Sequence, residues 1–205
     1  MITKGKVNWS YILIFIVFAI VASGVILFAN HLYSSKELAA LEMLIIQKPV
    51  PMPTEIDRNF LDQVNKCFIP TAAVFGYTLR ITSGFRTIAE QESIFDQGRT
   101  ENGHIVSWAP VGKSIHNYGF AVDVVDRWRG YNIDWKKLAK IGAFCGIDQV
   151  DDPHFEHRGG LSTAQFKAGF RPLPLALPCK IMDERVKANQ LLTLKDLKDC
   201  GAPNF

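Results

Sequence analysis

Residues 114–125 read SIHNYGFAVDVV, and two of them, His116 and Asp123, are of types that bind metals or move protons. A carboxylate set in an apolar run costs several kcal/mol if it stays ionised and unpartnered, so Asp123 implies a cation beside it. His116 lies seven positions earlier. Seven is odd and strand side chains alternate, so one continuous strand would send the two side chains to opposite faces. Gly119 lies between them and accepts positive φ, which permits a tight turn carrying His116 back to the start of the strand. Along FAVDVV, Ala121, Asp123 and Val125 share one face, and Phe120, Val122 and Val124 the other. A metal centre here needs a third ligand. Of the five histidines, His31 adjoins a long apolar run, which leaves His104, His154 and His157 as companions for His116. His154 stands in VDDPHFEH, among acidic neighbours and behind a proline that restricts the preceding backbone. Two imidazoles and one carboxylate suit zinc with one position left for water. Such a centre hydrolyses: zinc brings the pKa of its water toward about 7, and a nearby carboxylate takes the proton.

The elements that must position these residues follow from periodicity and punctuation. DRNFLDQVNKCF is expected to be helical, with Phe60, Leu61, Val64 and Phe68 recurring at three- and four-residue intervals. A strand is expected from Tyr77 to Thr82, opening into a turn at Gly84. IAEQESIFDQG has a helical pattern that stops at Gly98, and residues 99–113 read as loop. FAVDVV is a strand, IDWKKLAKIGAFCG a helix with Asp134 as N-cap, and DDPHFEH a turn entering a short strand. RPLPLALP is a stiff linker, followed by a last helical piece from Glu184 to Lys198. Helices mixed irregularly with short strands give an α+β class, a small central antiparallel sheet flanked by helices. The turns bearing Arg86, His116 to Asp123, and His154 are expected to meet at one sheet edge.

The net charge is only +3 over 205 residues, and Lys4 and Lys6 ahead of the first apolar run supply two of it; so neutral a balance gives no support for a nucleic-acid partner, which would usually show a clustered basic face. From Tyr11 to Ala29 the chain runs nineteen residues without a charge, about the length that crosses a bilayer. The lysines before it favour a cytoplasmic N-terminus and send the rest to the outer side of the cytoplasmic membrane. A single-pass signal anchor is expected. A cleaved signal peptide, processed near Ala22, Ser23 and Gly24, is the alternative. Residues 1–10 are then cytoplasmic, 11–29 transmembrane, 30–55 a juxtamembrane stalk, 56–171 the functional domain and 172–205 a linker and helical tail. Cys67, Cys145, Cys179 and Cys200 allow two disulfides in an exported protein. Cys179 and Cys200 are placed to staple the tail, whereas Cys67 and Cys145 fit free buried thiols equally well. No CxxC spacing occurs, so no cysteine is assigned to a metal.

Ser114, His116, Gly119, Ala121 and Asp123 form S-x-H-x-x-G-x-A-x-D, and D-x-P-H follows from Asp151 to His154. With SGFRT at Ser83 to Thr87 and FDQGRT at Phe95 to Thr100, these four motifs resemble the zinc D-alanyl-D-alanine carboxypeptidase and L-alanyl-D-glutamate endopeptidase family, from about Ile56 to Arg171. The resemblance implies that His116, Asp123 and His154 bind zinc, that Asp151 is the catalytic acid/base, and that Arg86 holds the substrate carbonyl or the developing oxyanion. Asp152 adjoins Asp151 and competes for its role. By residue chemistry alone, Glu156 alternates with His154 and is suited to orienting it, while His157 points away. Ser114 lacks the partner spacing of a hydrolytic nucleophile. Tyr118, Trp108 and Trp128 either line a substrate groove or pack in the core, and His104 sits in a polar loop.

The resulting expectation is a membrane-anchored zinc peptidase that cuts peptidoglycan stem peptides. FDQGRT and DxPHFE resemble the L-alanyl-D-glutamate endopeptidase branch more than the D-alanyl-D-alanine carboxypeptidase branch. Readings of other classes are an inactive metal-retaining wall-binding module, which Asp151 argues against, and a non-haem iron oxygenase, whose first two ligands normally lie closer together. A phage lysis enzyme released from its anchor is a further reading.

Overall fold

The computed structural model describes residues 50–205. The first helix starts where the pattern places it. Asp57 is extended and its carboxylate accepts from the Phe60 amide at 2.9 Å, capping α1 (Arg58–Gln63). The helix then outruns the expected end at Phe68. It continues through a π-helical stretch, Val64–Phe68, into α2 (Ile69–Val74), passing Pro70. A proline inside a helix lacks an N–H and crowds the carbonyl four residues back. The wider turn, in which the Ile69 N–H bonds to the Val64 carbonyl, shifts those carbonyls just ahead of the ring.

Strand β1 (Leu79–Ser83) begins two residues later than the alternation predicts, because Thr78 is used elsewhere: its N–H donates to the Asp126 carboxylate at 2.8 Å. Helix α3 (Ile88–Asp96) is closed at its start by a capping box between Thr87 and Glu90. Residues 99–113 are loop apart from an isolated bridge between Gln97 and Glu101. A 3-10 turn (Ile115–Tyr118) ends at Gly119, whose φ of 80° lies in the left-handed region. It leads into β2 (Ala121–Asp126), and α4 (Trp135–Phe144) follows with Asp134 as its N-cap. The expected single strand after the turn is a hairpin, β3 (Asp148–Asp151) and β4 (His154–Glu156), whose turn contains the cis Asp152–Pro153 peptide. Beyond it come α5 (Thr163–Lys167), α6 (Lys180–Lys187) and α7 (Leu194–Asp199), so the tail holds two helices where one was expected.

The four strands form one antiparallel sheet in the order β1-β2-β4-β3, giving the expected α+β class. Val122, Val124 and Phe155 are wholly buried, and Phe68 stacks on Phe155 at 4.6 Å between ring centroids, setting the π-helical stretch against β4. Helix α4 lies close behind the same strand. A Cβ at Gly142 would stand 2.8 Å from the Ile147 carbonyl and 3.0 Å from the Phe155 ring. The side chains of Ala121, Asp123, His154 and Glu156 point to the other face, since Asp123 pairs with His154 and Ala121 with Glu156 across the ladder.

Both cysteine pairs are disulfides. Cys67–Cys145 joins the π-helical stretch to the end of α4, and Cys179–Cys200 spans the tail. The tail packs on the domain rather than hanging from it. The Asn59 side chain clasps the Leu175 backbone from both sides, accepting at 2.6 Å and donating at 3.0 Å. Gln63 donates to the carbonyls of Cys145 and Ala176, and Met182 and Leu197 are buried. The expected membrane span at 11–29 lies outside the described residues, as does most of the expected stalk. Among the described residues no helix is long and apolar enough to cross a membrane.

Candidate metal centre

Three elements deliver three donor atoms to one point. The 3-10 turn brings His116 Nε2, β2 brings Asp123 Oδ1 and β4 brings His154 Nδ1. Their separations are 3.0 Å between the imidazole nitrogens, 3.3 Å from His116 to Asp123 and 3.2 Å from His154 to Asp123. Gly119 makes this possible as its residue type predicted, by turning the chain so that His116 comes back over β2. The room there is small: a Cβ on Gly119 would stand 2.8 Å from the Glu55 carbonyl.

The outer partners fix what the inner atoms offer. His116 Nδ1 lies 2.6 Å from the Gly84 carbonyl, which can only accept, so the ring proton sits on Nδ1 and Nε2 turns a lone pair inward. His154 Nε2 lies 2.8 Å from the Glu156 carboxylate and carries its proton there, which turns the Nδ1 lone pair inward as well. Arg158 in turn pairs with the other oxygen of Glu156. Two nitrogen lone pairs and a carboxylate oxygen at mutual contact repel unless a cation lies among them, and that donor set fits a divalent metal with an open position. Arg86 reaches only the outer oxygen of Asp123, so between the three inward atoms a proton is the alternative to a metal. The titration of the metal-free cluster follows: burial disfavours imidazolium at His154, but the bonds to Asp123 and Glu156 outweigh it and lift its pKa to about 9. Burial likewise raises Asp123, and the two neighbouring imidazoles, His116 and His154, reverse this and hold it well below the usual carboxylate range. Glu156 is lowered against burial by His154 and Arg158.

Arg86 sits beside the cluster. Its Nη2 is 3.5 Å from Asp123 Oδ2 and 3.0 Å from Ser83 Oγ, and its Nη1 donates to Gln91 Oε1 at 2.8 Å. Burial lowers its pKa, partly countered by Asp123 and Glu90. The loop around it is tied to the 3-10 turn by Arg86 N–H to the His116 carbonyl and by Asn117 Nδ2 to the Arg86 carbonyl. Asp151 ends the edge strand β3 in register with His154 and is exposed, while the Asp152 carboxylate accepts from Gln149 at 2.7 Å within the hairpin. This register pairs Asp151, rather than Asp152, with His154 across the hairpin.

The remaining residues divide clearly. His104 is exposed, and His157 faces away with its Nε2 3.1 Å from the Leu173 carbonyl, holding the tail. Tyr118 is a core residue, its hydroxyl bonded to the Gly112 carbonyl and its ring against Phe166. Trp108 and Trp128 are exposed. Ser114 is buried ahead of the 3-10 turn. Three participants went unnoticed in the sequence: Gln91, the Gly84 carbonyl and Arg158. Gln91 is fully buried and bridges Arg86 to Ser107 and to the Ala109 carbonyl. Its one signal is its polarity on the inward side of α3.

Residues 55–142 match the family model VanY, D-alanyl-D-alanine carboxypeptidase. The peptidoglycan L-alanyl-D-glutamate endopeptidase CwlK of Bacillus subtilis (strain 168) is 36% identical over 86 residues, which are 42% of this chain and 51% of that protein. The chain thus spans about half the length of this curated relative. Among solved structures, the LdcB LD-carboxypeptidase is similar at TM-score 0.41 and 18% identity over 59% of this chain and 80% of that one. The D,D-pentapeptidase VanY in complex with Zn(II) is similar at TM-score 0.42 and 18% identity over 58% and 88%. At that level the overlap of coordinates identifies no shared detail of the site.

Proposed function

We propose that the chain is a VanY-type peptidoglycan peptidase, a zinc-dependent hydrolase of stem peptides that cuts between L-alanine and D-glutamate, a reading supported by the family-model match over residues 55–142 and by the identity to CwlK. The observation that carries the reading is the convergence of three inward lone-pair atoms, His116 Nε2, Asp123 Oδ1 and His154 Nδ1, with both imidazoles held from behind by hydrogen bonds. A zinc ion held by these residues would acidify a water and polarise the scissile carbonyl. Asp151, exposed beside His154, takes the proton of the attacking water at its carboxylate and returns it to the leaving amine. Arg86, pinned by Gln91 and Ser83, sets a fixed positive charge at the rim, where negative charge builds on the carbonyl oxygen. The endopeptidase reading is supported by the 36% identity to CwlK. Removal of a terminal D-alanine is the second reading, favoured by the description of the matching family model.

The same reading keeps residues 11–29 as a signal anchor and puts the domain outside the cytoplasmic membrane. Two disulfides support an oxidising compartment.

The test is mass analysis of muropeptides incubated with the full chain at measured zinc content. Release of the stem peptide beyond its first alanine is expected, with zinc near one per chain. Loss of a single terminal alanine favours the carboxypeptidase. No cleavage at full zinc content means a metal-retaining wall-binding module. Asp151→Asn is expected to keep its zinc and lose at least 100-fold in kcat, on the order of what a positioned acid/base contributes.

A further inference from the structure

The charge of this chain is concentrated in one short segment. Between Arg127 and Lys140 stand five cations and one acid, a local net of +4 in a chain whose total is +3, so everything outside the segment sums to −1. The acid, Asp134, is committed to capping α4. Of the cations, Arg129 is paired with Asp126. Arg127, Lys136, Lys137 and Lys140 make no ion pair among the described residues, and Lys136 and Lys140 follow one another along one side of α4.

Two large aromatic side chains lie in the same segment with little to cover them: Trp128 is 77% exposed and Tyr131 64%. The loop is not loose. Arg127 stacks on Trp128, the Asp126–Gly130 bridge closes the turn, and Trp135 Nε1 donates to the Tyr131 carbonyl, which fixes the loop against the start of α4. Lys137 lies over the Phe75 ring, so the structure holds two amphipathic rings outward beside three exposed cations that make no ion pair among the described residues, Arg127, Lys136 and Lys140. The location is separate from the metal centre. Arg127 follows β2 four residues after Asp123, roughly 13 Å along a strand, at the end of the sheet away from Arg86 and His116.

We propose that this surface docks on the anionic headgroups of a lipid bilayer. Trp and Tyr favour the headgroup level, where a polar edge stays wet and the ring body leaves water, and Lys and Arg beside them are drawn to an anionic leaflet. A polyanion in solution would use the cations equally well, but it offers no apolar layer for two bare rings. An anchor at 11–29 would tether the domain through the expected stalk at 30–55, which keeps it near enough to the bilayer for the surface to engage. Docking there fixes the orientation of the domain and leaves the metal centre open to substrate.

The test is hydrogen exchange on the full chain reconstituted in phosphatidylcholine vesicles with and without phosphatidylglycerol, at about 0.1 M salt, where screening is moderate. Slower exchange is expected in residues 127–140 in the anionic vesicles alone, reversed at high salt. Each cation at an anionic leaflet is worth about five-fold, so Arg127→Gln with Lys136→Gln and Lys140→Gln should shift the docked-to-free ratio by on the order of 100-fold. Muropeptide cleavage in solution should stay at the parent level, because none of the three residues approaches the metal centre. Trp128→Ser should weaken docking while leaving the salt dependence intact. Equal exchange in neutral and anionic vesicles overturns the inference, as does protection that appears only when a soluble phosphodiester polymer is added. The readout involves no hydrolysis, so a failure here leaves the peptidase reading standing, and the reverse holds.

Discussion

At the scale of single residues, the arrangement sets a proton against a metal at one atom. His154 Nδ1 faces Asp123 and His116, and in the metal-free chain it holds a proton up to about pH 9. Metal uptake at pH 7 should therefore release about one proton, falling toward none above pH 9, which calorimetry in buffers of different ionisation heat would read. The sign for stability runs the same way. The folded pKa exceeds the ordinary 6.5, so the contribution in the chelated protein is complete below pH 6.5 and is lost as pH rises through about 9. Thermal unfolding of the chelated chain should thus give a lower midpoint at pH 9.5 than at pH 6; an unchanged midpoint would contradict this assignment. Glu156 acts through His154, fixing its tautomer from the far ring nitrogen. Glu156→Gln should lower metal affinity by roughly 10- to 100-fold, seen by competition with a chromophoric chelator, with the fold intact. Asp123 and His154 could be picked from the sequence because a carboxylate in an apolar strand and a histidine among acids are each anomalous. Gln91 and Arg158 could not, because their meaning lies in what they touch.

Among the elements, the turn at Gly119 has the most demanding geometry. Its φ of 80° disfavours any residue with a Cβ, and that Cβ would meet the Glu55 carbonyl at 2.8 Å. Gly119→Ala should lower stability by roughly 2–3 kcal/mol, combining left-handed strain with displaced backbone, and should weaken metal binding by moving His116. Denaturant titration and metal competition on the same protein would test both. Helix starts were legible because caps are local: Asp57 and Asp134 act within three residues of themselves. The passage of the first helix through Pro70 was not legible, since nothing in the sequence marks a π-helical turn. The two-residue shift at the start of β1 likewise depends on Asp126, far along the chain.

For the whole molecule, the decisive feature is that residues 172–205 close the domain. Met182, Leu192 and Leu197 are buried, and at about 1.5–3 kcal/mol for each side chain they carry on the order of 5 kcal/mol or more, comparable with the entire stability of many domains. A chain ending at Arg171 should therefore lose cooperative thermal unfolding, and a sharp transition retained by that truncation would show the tail to be dispensable. The sequence by itself determined which residue types are available for chemistry, the flexible turn between His116 and Asp123, the helix cap at Asp134 and the α+β class, all of which depend on residue type and on neighbours within a few positions. Only the tertiary structure decided which atoms meet. The register of β2 on β4 sets Asp123 opposite His154 across 31 positions, and a disulfide joins Cys67 to Cys145 across 78. Such pairings are fixed by how the sheet and its covering helices fit together, and the free energy that selects them is shared among side chains too distant in sequence for local pattern to register.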